Sequence, residues 1–405
     1  MNAVAQLLEN DSPDVVGPAA GPPAWDERVL DEMSTVLFAS LRRSDQRLRG
    51  AEYLRGLLGA QGRRSIRNMA SRLGGSATEQ SLHHFVSDST WDWAPVRRTL
   101  ARHIAEQAPP FAYVVRPMVI PKTGENSVGV DRQFVSELGQ LVNAQQAAGV
   151  WSATEQMSVP INWRLHLSAS WLGDRARRRQ ASIPDDVWEQ TPGDGAVEAA
   201  LETASQWGLP QRPVVLDARH MDLASAIARF RAAGVPFLAR INGSLQLAVT
   251  DPALQGRTPE VQQAVQIMTA ARDRMRPAPL PDEGGARAGR PLQLTTKVRV
   301  RPSRAVRQVV GQGELALLGV AEARWQKPVE LWLTDMTQAR LPTLVRLSRL
   351  IRRADRDFRE TTDRLGIRDF TGRSYAGWHR HVTLASAAHA VSMLGAPGEG
   401  ATEPA

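Results

Sequence analysis

The chain has 405 residues, 42% apolar and 23% charged, a globular composition long enough for two or three domains. It holds no cysteine, which excludes disulfides and thiolate metal sites, and no apolar run approaches the ~18 residues of a membrane span. Net charge is +8 with lysine only at 122, 297 and 327, so arginine, whose fork matches phosphate oxygens, carries nearly all the positive charge.

A codon bias toward arginine gives the same count, so clustering of the arginines is what matters. Residues 1–26 are acidic and rich in Pro and Gly. They read as a mobile tail without the regions of a secretory signal, and 395–405 reads as a second tail. A cytoplasmic location is expected. From 27 to 108 apolar residues recur at helical spacing in about five segments, an all-helical domain. Ser44 is placed as the N-cap of the second. The third, "RRSIRNMASRLGG", carries Arg63, Arg64 and Arg67. Trp91 and Trp93 in "TWDW" read as core anchors rather than base-stacking platforms.

At Pro109-Pro110 the period falls from 3.6 to two. Strands are expected over 111–121, 127–135 and 141–152, the first two as a hairpin about Lys122–Asn126. Arg116 and Pro117 interrupt the first apolar run, where a proline removes a ladder donor. An extended stretch and a basic one, "RARRRQ" with Arg175, Arg177, Arg178 and Arg179, follow. Then come a helix over 194–207, a strand ending in Asp217, a helix over 222–233 and the strand "PFLARIN". Three antiparallel strands followed by α, β, α, β is the ribonuclease-H-like order. The core is thus placed at 109–242 and 328–394, with 243–327 as an insertion. A long helix over 341–365 and a last helix over 375–392 close the chain.

Asp217 ends a buried strand, where ligands of α/β sheets gather, although a helix cap or an Arg pair explains it as well. Asp355 and Asp357 lie on the long helix, where a solvated charged face is the ordinary reading. Carboxylates gathered from distant strands and a late helix suit two divalent ions for phosphodiester chemistry. His220, in "DARH", reads as a structural histidine or a phosphate contact. His379 and His381 read as packing residues of the last helix.

Four segments, "IPKTGENSVGVDRQFVSELGQLVN", "PINWRLHLSASWLGDRARRRQASIP", "PVVLDARH" and "LIRRADRDFRETTDRLGIRDFTGRSYAGWHRHVTL", together with "SLHHFVSDSTWDW", resemble DDE transposases of the insertion-sequence-701 group. The resemblance covers most of 40–390. It implies an α/β, ribonuclease-H-like core, DNA cleavage and strand transfer with Mg²⁺ or Mn²⁺, double-stranded DNA as partner and a homodimer on it, in the nucleoid. The family's paired Asp at the end of its first strand falls on Arg116-Pro117. Its second Asp falls on Asp217, and its Glu on Asp355. A cation therefore stands where a metal ligand is expected, and Arg116 is expected to pair with Asp217.

Three readings stay open. The first is a degenerate, domesticated transposase that binds DNA through Arg63, Arg64, Arg67, Lys122 and the 175–179 arginines, with no metal. The second is an active enzyme in which Asp131, opposite Pro117 across the hairpin, restores a carboxylate beside Asp217 and Asp355. The third is a scaffold or enzyme that no longer uses DNA.

Overall fold

The computed structural model describes residues 25–135, 139–256, 259–278, 293–303, 313–322 and 330–395. Nearly all of the two expected tails, and most of the Pro/Gly loop at 277–291, lie outside the described residues.

Helices open the described chain. They are α1 (Glu27–Leu37), α2 (Ser44–Gly59), α3 (Ile66–Leu73), α4 (Ser76–His83) and α5 (Trp93–Gln107). Side chains of Asp26, Ser65 and Asp92 cap α1, α3 and α5. Such caps satisfy amide donors that the first turn leaves free. Ser44 is the first residue of α2 rather than its cap, a position held by Arg43.

The period-two region forms β1 (Ala112–Pro121), β2 (Asp131–Val135), β3 (Gln140–Ala153) and β4 (Ser158–Leu165). Two short helices, α6 (Ala169–Leu172) and α7 (Arg175–Gln180), lead to α8 (Pro192–Leu201), β5 (Val214–Asp217), α9 (Leu223–Ala232) and β6 (Phe237–Ile241). The remaining elements are β7 (Gln246–Val249), β8 (Val261–Gln263), α10 (Ala264–Ala270), β9 (Arg276–Pro277), β10 (Gln293–Pro302), β11 (Leu315–Glu322), β12 (Glu330–Thr334), α11 (Leu341–Asp357) and α12 (Tyr375–Gly395).

One sheet runs β2-β3-β1-β5-β6-β12-β11-β10-β7-β8, with β4 on β3 and β9 on β10. The expected β1–β2 hairpin does not form. Long β3 lies between the two, antiparallel to both. Residues 128 and 130, expected in the second strand, turn inward instead: Val128 and Val130 are buried, and Gln145 donates to the Val128 carbonyl. The stretch expected as an insertion, 243–327, is built onto the core sheet. Its strands β7, β10 and β11 extend the same sheet beside β12.

The register explains Pro117. The Tyr113 amide donates to Pro213 on the β5 side, while the Lys122 amide donates to Asn143 of β3. Alternation therefore turns the Pro117 nitrogen toward the β5 side. The β1–β5 ladder ends at Val115–Leu216, so a proline two residues further on forfeits no ladder bond.

The main apolar core runs from Leu30 of α1 to Val391 of α12, and a small second cluster joins Val135, Val142 and Ala144. Every residue of α12 from Gly377 to Ser392 is buried, as an all-round apolar helix requires. Its polar groups are anchored. His381 Nδ1 meets Tyr53 and its Nε2 meets the Gly366 carbonyl; His389 meets Thr362 and the Ser158 carbonyl. Gly149 of β3 sits between Arg116 of β1 and Trp163 of β4. A methyl group there would come within 2.7 Å of the Trp163 ring, so the close approach requires glycine.

Candidate functional site

Strands β1 and β5 run parallel, with Val115 level with Leu216. Arg116 is thereby level with Asp217 on the neighbouring strand, about 5 Å away. Asp355 reaches the same place from α11. These three line a cavity of about 780 Å³ that continues past β3 and β4 to the start of α12.

The pairing differs from the expected one. Arg116 Nε donates to Asp355 Oδ1 at 2.9 Å, and Nη1 donates to the Pro117 carbonyl at 2.9 Å. The guanidinium lies 3.7 Å over the centre of the buried Phe358 ring. Burial draws the Arg116 pKa down and Asp355 holds it up, with a net lowering. Asp217 belongs instead to Arg219. Nε lies 2.9 and 3.0 Å from the two carboxylate oxygens, and Nη2 lies 2.6 Å from Oδ2. Arg240 of β6 adds a second cation at 3.9 Å. Burial pushes the Asp217 carboxyl up, but the Arg219 hydrogen bonds and both positive charges outweigh it and hold it below its usual range. Arg219 folds back two residues onto its own strand end and takes both Asp217 oxygens, while Arg116 turns to Asp355.

Asp357 is two positions from Asp355, hence on the other side of the helix. It is buried rather than solvated, and accepts from the amide and hydroxyl of Ser158, both at 2.7 Å. It ties α11 to β4. His220 is exposed at the cavity edge, whereas His381 is buried. Trp91 is a core anchor stacked on Phe85; Trp93 is only half-buried and lies against His379 in the cavity.

Asp131 does not face Pro117. It is level with Ala144, which is level with Pro121. It therefore lies about 10 Å across the sheet and about 13 Å along it from Pro117. Its carboxylate accepts from Ser168 and Ser170 at 2.6 and 2.7 Å.

The ions the resemblance implies, Mg²⁺ or Mn²⁺, call for free carboxylate oxygens around one point. Here both oxygens of Asp217 face Arg219, Asp355 is paired with Arg116, and Asp131 is remote. Among the described residues, no three His, Cys, Asp or Glu side chains gather as a metal-holding group. The residues present do not fit the ion.

The arginines expected on phosphate divide into two sets. Arg64 is buried, donating to the Leu57 and Gly62 carbonyls, while its amide donates to Asp369. Lys122 donates to the Phe370 carbonyl at 2.7 Å and to that of Arg368. Burial pushes it down to about 8. Arg178 is held by the Pro184 and Val187 carbonyls, and Arg177 lies over Trp171. These four are engaged within the fold, Arg64, Lys122 and Arg178 on backbone carbonyls and Arg177 by its guanidinium over a ring face. Arg63, Arg67, Arg175 and Arg179 are exposed.

A polar cluster missed in the sequence lies at the far end of the cavity. Arg97 of α5 is 4% exposed and donates to Asn162, the Trp163 and His379 carbonyls, His379 Nδ1 and Thr383. Burial draws it down to about 10. The one sequence signal is an arginine on the apolar stripe of an amphipathic helix.

Among the described residues, no helix is long and apolar enough to cross a membrane. A comparison with curated proteins gives no match. The model of one family, DDE superfamily endonuclease, matches residues 36–267, a span that contains Arg116, Pro117 and Asp217 and stops short of Asp355. That span is more than half of the chain, and the chain belongs to the DDE superfamily endonucleases.

Proposed function

We propose that this chain is a domesticated transposase of the insertion-sequence-701 group that binds duplex DNA and has lost strand cleavage, with a regulatory or architectural role. The observation that carries this reading is the double clamp: Arg116 on Asp355 and Arg219 on Asp217. Guanidinium groups take the carboxylate oxygens that a cleaving site needs for metal. The antiparallel β3–β1 pair followed by parallel β1, β5 and β6 supports a ribonuclease-H-like core, with residues 27–108 as its DNA-binding helical part.

The exposed Arg63, Arg67, Arg175 and Arg179 supply phosphate contacts that fix position without reading sequence. A net charge of +8 favours the same partner. A homodimer on DNA in the cytoplasmic nucleoid completes the reading.

The test is binding to mixed-sequence duplex over a salt series, alongside plasmid nicking in Mg²⁺ or Mn²⁺. The reading expects affinity to fall steeply with salt, and the Arg175→Ala/Arg179→Ala pair to lower the log–log slope by about two. Nicking that requires metal and is abolished by Asp217→Ala would refute it.

A further inference from the structure

Strand β2 ends the sheet on one side, and among the described residues no strand covers its outer edge. Which of its main-chain groups face that edge follows from β3. The Lys122 amide donates to Asn143 on the β1 side of β3, and the His166 amide donates to Gln146 on the opposite side. Even-numbered residues in this part of β3 therefore turn their amide and carbonyl toward β2. Asp131, Gln133 and Val135, level with Ala144, Val142 and Gln140, take those bonds. Arg132 and Phe134 are left with amide and carbonyl pointing outward, a template for another strand.

The two faces of this hairpin differ. On one, Val135, Val142 and Ala144 are buried together with Val119. On the other, Phe134 is 62% exposed and stands level with Leu141, which is 58% exposed. Residues that face each other without exchanging hydrogen bonds have Cα atoms about 4.5 Å apart, so these two side chains form one apolar patch. Arg132 is exposed beside it. A charge on an edge strand ordinarily keeps other chains away. Here the charge and the ring are two residues apart, which makes the strand complementary to a second copy of itself. Antiparallel pairing centred on Arg132 would oppose like charges. Centred on Phe134, it would carry Arg132 past the end of the partner's strand. Centred on Gln133, it sets Arg132 opposite the partner's Phe134, twice, with a cation beside each ring. That register also uses the outward amides and carbonyls of both residues, in about four main-chain hydrogen bonds.

We propose that β2 is a dimer interface. Two copies of this chain join edge to edge and antiparallel, about a twofold axis at Gln133, so that one sheet runs through both. The contact is small, under about 1,200 Å², and its Kd is expected on the order of 10 µM. The inference gives a surface to the homodimer of the reading above and rests on that part of it, not on DNA binding.

The test uses the full chain without DNA. Sedimentation velocity from about 1 to 100 µM is expected to show a monomer–dimer equilibrium. Phe134→Lys, a change at an exposed side chain, is expected to weaken it at least about tenfold with an unchanged melting temperature. The chain has no cysteine, so Gln133→Cys supplies a single thiol. On the axis its Cβ lies about 4.5–5.5 Å from the partner's, and mild oxidation should give a disulfide-linked dimer. Leu141→Cys, roughly 15 Å from its copy, should not. A chain that stays monomeric to the top of that range overturns the proposal. So does a dimer that Phe134→Lys leaves intact and Gln133→Cys does not bridge, which places the interface elsewhere. A monomer whose Arg132 and Phe134 amides resist hydrogen exchange overturns it too, since a segment of the same chain then covers the edge. Dimerisation through β2 by a chain that binds no duplex removes only the DNA-binding reading, and DNA binding by a monomer removes only this one.

Discussion

Replacing Arg116 with alanine isolates what the cation contributes to the clamped site. The side chain is 18% exposed, over Phe358 and against Asp355, whose own side chain is 42% exposed. A cation over an aromatic ring contributes about 0.5–2 kcal/mol. The pair with a half-exposed carboxylate contributes about 0.2–1 kcal/mol. Two buried methylenes lost from the stem contribute roughly 0.8 kcal/mol each. Arg116→Ala should therefore cost about 2–4 kcal/mol in urea unfolding at constant m-value. Arg116→Met keeps the stem and should recover roughly 1–2 kcal/mol of that. Asp355→Ala removes only the pair and should cost less than about 1 kcal/mol, because Phe358 and the Pro117 carbonyl still hold the guanidinium. If Asp355→Ala costs as much as Arg116→Ala, the ion pair dominates and this apportioning is wrong. If Arg116→Ala is neutral, the cation is not a structural element of the site at all.

Gly149→Ala should destabilise the chain by about 1–3 kcal/mol, since the new methyl group meets the Trp163 ring, which is itself packed against Trp151. An unchanged melting temperature would mean that Trp163 can move aside. Acid should weaken the fold as the buried histidines of α12 are forced to take up protons. His381 and His389 are neutral in the fold, with burial drawing each down to about 4 from an ordinary 6.5. Between those values the unfolded chain binds more protons, so stability is complete above about 6.5 and is lost as pH falls toward 4, by roughly 3 kcal/mol per histidine. Unfolding free energies measured from pH 8 to 4 check the slope, and a flat profile across that window contradicts the burial argument. Asp217 acts lower still. Its depressed pKa gives stability that is present above the unfolded value and lost as pH falls through the folded one, so Asp217→Asn should flatten the profile below about pH 4.

Most elements were legible because their periods are plain. β1, β3, β5 and α11 fall within a few residues of where spacing places them, apart from the wider turn at 358–362 that ends α11 early. The order of strands was less legible. Lys122–Asn126 has turn chemistry, and adjacency in sequence suggests adjacency in space. That inference fails because Val128 and Val130 are drawn into the core and fourteen-residue β3 pairs on both of its edges. The Asp131 rescue depended on that hairpin and falls with it.

At the site, sequence placed Asp217, Arg116 and Asp355 together but not their pairing. Which partner wins depends on Arg219 folding back, a local geometry with no periodic signature. Likewise, nothing in "RRSIR" separates Arg64, whose donors meet backbone carbonyls, from its exposed neighbour Arg63. Carbonyl acceptors are the same for every residue type, so a sequence cannot show which cation they will take.

The central claim is that arginines have replaced metal between β1, β5 and α11. A crystal soaked in Mn²⁺, with the anomalous map read around Asp217, tests it most directly and needs no knowledge of the DNA target. The account predicts no peak there, with Arg116 still on Asp355 and Arg219 still on Asp217. A manganese peak coordinated by Asp217 and Asp355, with both guanidinium groups displaced, would contradict it.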